Sequence, residues 1–204
     1  MLAAPACGWS CGYGLFKTLL CLAILDRYIP GGHLPGALSI LGSDTWFIPI
    51  CVAGGFEMII DLIPRIDLRW HRLTAHISII GAGVLAWFLM DGQDGMTRVM
   101  ALITAAILAA VAWCVHTAPR RASIPAGTSN FISPIASLTE DCIIGSLLLP
   151  LSAMPPLTIL MLIFTIVAGV LIMYIIWPSV RQEMNFLFTL KPAPPHQEPM
   201  EHHD

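Results

Sequence analysis

The apolar positions of this chain fall in long runs, not in alternation or in one-sided stripes. A helix needs about 20 mostly apolar residues to cross a hydrocarbon layer about 30 Å thick. Windows of roughly that length lie at residues 9–25, 45–63, 73–90, 97–115, 132–153 and 157–177. They predict an all-α polytopic bundle of about six transmembrane helices. The third, fourth and sixth windows have clean interiors, whereas the first, second and fifth carry ionisable residues. The first is the shortest and is rich in glycine. Turn-forming residues separate the windows: Pro30-Gly31-Gly32 with Pro35, then Pro64, Asp91-Gly92-Gln93-Asp94-Gly95, residues 119–127, and Pro155-Pro156. Every connection is short, so residues 1–178 are expected to form one membrane domain. Residues 179–190 can lie as an interfacial helix with Phe186, Leu187 and Phe188 at headgroup level. The proline-rich stretch 191–204 is expected to be a disordered cytoplasmic tail.

Composition supports that class. The chain is 56% hydrophobic and 11% charged, against about 45–50% and about 25% in ordinary soluble domains, which excludes a soluble domain and leaves the lipid bilayer as the main partner. Lys plus Arg number 10 and Asp plus Glu 13, a formal charge of -3, so no basic footprint for nucleic acid exists. Residues 1–16 contain no Lys or Arg, and a cleaved secretory signal is not expected. The six cysteines show no Cys-x-x-Cys spacing and read as small buried side chains.

Orientation is set by the cations. With the N-terminus in the cytoplasm, Arg65, Arg69, Arg72, Arg120, Arg121, Arg181 and Lys191 fall inside and only Arg27 and Arg98 outside, Lys17 lying within a span. This positive-inside bias places both termini in the cytoplasm of a bacterial inner membrane.

Candidate chemistry lies where lipid penalises charge. Glu57 and Asp61 are in the second window, Glu140 and Asp141 in the fifth, and Lys17 in the first. An acid at the centre of a spanning helix costs about 2.5–3.5 kcal/mol, so such groups face the protein interior or a water-filled cavity and find a partner. Positions 57 and 61 share a helix face with Gly54, where a missing side chain admits a neighbouring helix. Glu140 and Asp141 diverge by about 100° and cannot face one point; Ser137 lies within reach of both. Pro134 fits either the first turn of its helix or a break in it. Lys17 is the natural partner of the acids, and both helix-tying ion pairs and a functional site remain open. Asp61, near the end of its helix, is expected within reach of interfacial water.

Other groups carry less. His76 can relay a proton or simply pack. His116, Arg120 and Arg121 read as a cytoplasmic cation cluster or as an anion or headgroup site. His196, Met200, His202 and His203 in the tail can hold a soft metal but lack a rigid scaffold. No cofactor motif is present and no metal site is expected. With the windows split three and three, the acidic helices take the second place in each half, the arrangement of an inverted repeat with a midplane site.

His116-Thr117-Ala118 through Arg120, then Ser129-Asn130, then Pro134-Ile135-Ala136-Ser137-Leu138-Thr139-Glu140-Asp141 resemble an uncharacterised family of small bacterial membrane proteins, domain-of-unknown-function family 4126. Glu57-Met58-Ile59-Ile60-Asp61-Leu62-Ile63-Pro64 followed by Asp67 is similar to a second stretch of that family. The resemblance extends to about residue 177. Leu62 and Pro119 stand where the family tends to have Lys, and Gly14 and Thr18 where it tends to have Arg and Pro, which leaves Lys17 as a replacement cation. A family without an agreed substrate implies fold and site position more than activity.

The residues point first to a transporter or channel-like protein for protons or a small solute. Glu140 is the protonatable or substrate-facing group, Glu57 its counterpart, and Ser137 and Asn130 their hydrogen-bonding support. The alternative is a non-catalytic accessory subunit packed against other membrane subunits or a second copy. A membrane enzyme is less supported, because no nucleophile–base pair is evident.

Overall fold

A two-residue connection, Leu62-Ile63, ties α3 (Asp44–Asp61) to α4 (Pro64–Leu89). Ile63 is extended, Pro64 supplies the preset φ of a first helical residue, and the Asp67 N–H bonds back to the Ile63 carbonyl. Acids at the end of one helix are therefore held beside those at the start of the next. The computed structural model describes residues 3–123, 129–149, 155–175, 177 and 181. Besides α3 and α4 they form α1 (Ala3–Tyr13), α2 (Leu15–Tyr28), a 3-10 helix (Gly36–Gly42), α5 (Gly95–Ser123), α6 (Ser129–Leu148) and α7 (Pro155–Ile175). No strand occurs among the described residues. The expected interfacial helix at 179–190 and the tail at 191–204 lie outside them, apart from residue 181.

Windows two to six each coincide with one helix, α3 to α7, but the first does not. It is split at Gly14, whose backbone is extended (φ 178°, ψ 119°). A Cβ on Gly14 would come within 2.6 Å of Lys17 Cε and 2.8 Å of Glu57 Oε2. The chain is thus bare where α3 presses a carboxylate against the break. Pro134, by contrast, lies inside a continuous α6. Two helical stretches, Arg69–Leu89 and Gly95–Arg121, are long and apolar enough to cross a membrane. A third joins them if the 3-10 helix and α3, bent by 72°, count as one span. The apolar stretch Pro156–Ile172 of α7 is shorter.

Almost every residue of α1 is buried, as expected of a helix that is apolar all round. Its glycines allow this. A Cβ on Gly8 would sit 2.5 Å from Ala105 Cα, and one on Gly12 would meet Ala109 and Ala112 of α5. Small residues one turn apart on both helices let the backbones touch, the packing that dispersion favours when lipid removes the hydrophobic drive. Trp9 closes the far side against Gly169 of α7. Gly54 of α3 likewise seats against Leu20 and Phe16 of α2, 3.0 Å and 3.1 Å from where its Cβ would stand. At the exposed start of α5, Asp94 accepts bonds from the Thr97 N–H (3.0 Å) and hydroxyl (2.6 Å). This cap holds its carboxyl below the usual carboxylate range.

Along α3 the buried stripe is Ile50, Gly54, Glu57, Ile60 and Asp61, while Trp46, Val52, Phe56 and Ile59 face outward. The two acids in the second half of α3 face in, while most of its large apolar side chains face out. On α4 and α5 the buried stripe changes along its length: Asp67 and His71, or His116 and Arg120, at one end, and alanines (82 and 86, or 105 and 109) at the other. The charged centre therefore sits toward one end of the two long helices, not at their middle.

Candidate functional site

Five helices contribute. Lys17 stands on the first turn of α2, Glu57 and Asp61 on α3, Asp67 and His71 on α4, His116 and Arg120 on α5, and Ser137, Glu140 and Asp141 on α6. The pairs 57/61, 67/71 and 116/120 are each spaced by four residues, which puts both members on one helix face. All of these side chains are buried except that of Asp141, which is 20% exposed.

On the α2 side, the Lys17 Nζ donates to Asp61 Oδ2 at 2.5 Å and to Asp141 Oδ1 at 2.8 Å. The backbone N–H of Lys17 donates to Glu57 Oε2 at 2.9 Å. This amide is one of the donors that a helix start leaves without an internal partner. Glu57 thus caps α2 from another helix, its carboxyl at the positive end of the helix dipole. Its other oxygen, Oε1, is buried with no hydrogen-bond partner among the described residues.

On the α5 side, Arg120 grips Glu140 with two parallel bonds, Nη1 to Oε1 and Nη2 to Oε2, both 2.8 Å. Nε lies 2.6 Å from Asp67 Oδ2. Nη2 also donates to the Ser137 hydroxyl (2.9 Å), which in turn donates to the Asp61 carbonyl (2.9 Å) and ties α6 to α3. This forked arrangement is what a guanidinium does better than an ammonium.

The histidines bridge the two sides. His71 Nε2 lies 2.8 Å from Asp61 Oδ1 and 3.3 Å from Asp67 Oδ1. His116 Nδ1 lies 2.9 Å from Glu140 Oε2, and its Nε2 is 3.7 Å from Asp67 Oδ1. The two rings meet edge-on with centroids 4.0 Å apart. The Trp113 indole N–H fixes the α4 backbone by donating to the His71 carbonyl at 2.9 Å. A continuous line of polar contacts thus runs from Asp141 through Lys17, Asp61, His71, Asp67 and His116 to Glu140.

Among the described groups of this cluster, five carboxyls (Glu57, Asp61, Asp67, Glu140, Asp141) stand beside two permanent cations (Lys17, Arg120), which with all five ionised is an excess of three negative charges with both histidines neutral and of one with both protonated. Of the residues that the sequence marks out, Lys17, Glu57, Asp61, Ser137, Glu140 and Asp141 are brought together. Glu140 and Asp141 diverge as expected, one toward Arg120 and the other toward Lys17. Asp61, expected within reach of water, is instead fully buried, because α2 and α4 cover it. His116 and Arg120, expected to form a cytoplasmic cation cluster or an anion or headgroup site, turn inward, and the anions they meet are Glu140 and Asp67. Arg121 is half-buried, as is His76. Asn130 begins α6, but its side chain lies outside the described residues.

Asp67 and His71 belong to the site although the hydropathy pattern does not mark them as part of it. The third apolar window starts at residue 73, and these two lie in the helix turns that precede it. Their four-residue spacing, repeating that of Glu57/Asp61 and His116/Arg120, is the signal that identifies them. All six cysteines are free thiols; Cys7, Cys11 and Cys114 are buried and Cys142 is exposed.

Residues 1–175 match the family described as Domain of unknown function (DUF4126). No curated protein and no solved structure shows significant similarity to the chain.

Proposed function

The chain belongs to the DUF4126 family, and from that premise we propose that it is a small multi-spanning transport protein that passes a small cation, or a solute accompanied by one, through the buried centre. One observation carries this reading: among the described residues, five carboxylates gather around Lys17 and Arg120. A charged acid at the centre of a span costs about 2.5–3.5 kcal/mol, and a further cation entering from water lowers that cost. The break at Gly14 supports it. Discontinuous helices whose starts face a charged group recur at the binding sites of membrane transporters, and here the start of α2 faces Glu57.

In this reading the α1–α2 pair and α3 to α7 make six crossings, arranged as three plus three in inverted orientation. The cation bias puts both termini in the cytoplasm of a bacterial inner membrane. The charged centre then lies in the cytoplasmic half, entered past Asp141.

The test is flux in liposomes carrying the purified chain, read with an internal pH-sensitive dye and a metal-sensitive dye. Glu57→Gln keeps the shape of the side chain and the acceptor for the Lys17 amide, so folding should persist while flux falls at least about tenfold, a change of about 1.4 kcal/mol. Unchanged flux in a folded Glu57→Gln protein would remove the proposal. A second reading, an accessory subunit, rests on the outward stripe Leu160, Ile163, Phe164, Val167 and Leu171 of α7. It gains if no flux is seen and a stoichiometric membrane partner co-purifies in mild detergent.

A further inference from the structure

The geometry points to a binding site for a divalent transition-metal ion formed by Asp67, His71 and His116. Three ligand atoms from these buried residues lie within 4.8 Å of one another. Both imidazoles bring Nε2 toward the same carboxylate oxygen, Asp67 Oδ1, at 3.3 Å from His71 and 3.7 Å from His116. An ion bonded to nitrogen and oxygen at about 2.0–2.2 Å holds its ligands about 3–3.5 Å apart. Of the two nitrogen–oxygen spacings, 3.3 Å falls in that range and 3.7 Å just beyond it.

A second observation is independent of that clustering. His116 Nε2 is buried with no hydrogen-bond partner among the described residues. Its Nδ1 lies 2.9 Å from Glu140 Oε2, and an ionised carboxylate has no hydrogen to give, so the network assigns the ring proton to Nδ1. Arg120 Nη1, also 2.9 Å from Nδ1, has the His116 carbonyl and Glu140 Oε1 for its two hydrogens. Nε2 then presents a bare lone pair toward a carboxylate oxygen. Two acceptors face each other, and a second proton on Nε2 would have to span 3.7 Å, beyond a hydrogen bond. A metal cation gives the His116 lone pair a partner and is attracted by the same carboxylate.

The surroundings match what a metal-bound histidine needs. Glu140 on the far nitrogen of His116 forms the carboxylate–histidine pair that orients such a ligand and raises its basicity. Arg120 contacts Asp67 at Oδ2, while both imidazoles approach Oδ1, and the charge of Arg120 is offset by the bidentate Glu140. At His71 the ion takes the place of the hydrogen now shared with Asp61, the ring passing to its Nδ1–H tautomer. A divalent ion reduces the excess of three negative charges to one. Two imidazoles with one carboxylate select Zn²⁺, Fe²⁺, Co²⁺ or Mn²⁺ over Mg²⁺ and Ca²⁺, which prefer all-oxygen shells.

That this ion is the cargo rests on the transport reading above; the binding site itself does not. The test uses the full chain in detergent micelles, stripped of metal, with His196, His202 and His203 replaced by Gln so that the tail binds nothing. Titration with Co²⁺, followed by its visible absorption and by Zn²⁺ competition, should show one saturable site per chain. His116→Gln should weaken binding at least about tenfold, the lower end of what even outer-shell losses cost; His71→Gln gives a second readout if the first variant does not fold. Absence of saturable Co²⁺ absorption, or affinity unchanged in both variants, overturns the site. Saturable binding lost in the variants supports the site even where liposomes show no flux, an outcome that counts against transport alone. Proton flux without Co²⁺ binding overturns the site and leaves transport standing.

Discussion

On one flank of the buried centre, the Lys17 ammonium meets Asp61 and Asp141 as a point charge, and Glu57 leans on the start of a helix with one oxygen unpartnered among the described residues. On the other, the Arg120 guanidinium holds Glu140 with two bonds and Asp67 with a further contact, while Ser137 ties the arrangement to the α3 backbone. Three acids surround the lysine and two the arginine. The difference lies in how firmly each flank is held. A planar fork with several fixed partners resists rearrangement, whereas an ammonium on a four-carbon stem can swing between acceptors. The Arg120 flank thus reads as the frame and the Lys17 flank as the part able to exchange partners.

The largest expected effect tests the frame. Arg120→Met leaves Asp67 and Glu140 buried without their cation and should cost about 3–5 kcal/mol, the usual penalty for breaking a buried pair from one side. Thermal unfolding in detergent measures it. Arg120→Lys should recover less than half of that loss, because one ammonium cannot reproduce the fork. Full recovery by lysine would erase the distinction between the flanks.

Lys17→Met should cost less, about 3 kcal/mol, the low end of that range. Asp61 keeps its bond from His71, and Asp141 is partly exposed. A loss equal to that of Arg120→Met would mean that both flanks are frame. The smallest effect is expected at Gly14→Ala. Its new methyl meets the Lys17 Cε and the Glu57 carboxylate, groups that can shift, so about 1 kcal/mol is expected, the low end of overpacking. A cost above about 3 kcal/mol, read from the same melting curves, would show that the Lys17 flank is rigid after all.

Much of this centre can be read from spacing alone. Glu57 and Asp61 share a face because four residues make about one turn, and Glu140 and Asp141 point apart because adjacent residues do not. Lys17 as counter-charge is implied by the cost of an unpaired acid in lipid. His116 and Arg120 are legible as a pair, but their direction is not, since a cation near a helix end satisfies the sequence equally well facing headgroups or facing Glu140. His71 is hidden for a different reason: an apolar window defines a span by what touches lipid, and a buried polar turn at its end falls outside that window.

The sequence by itself determined the class of solvent, the helices α3 to α7, the short links that make their neighbours pack, and the acids that must turn inward, because hydropathy and the 3.6-residue turn are local properties. Only the tertiary structure decided that the first window breaks at Gly14, that Glu57 caps α2 across helices, and that Asp67, His71 and His116 converge on one point. Those outcomes depend on which side chains of distant segments fill the same space, and contacts separated by up to 124 residues, as between Lys17 and Asp141, leave no periodic trace in either segment alone.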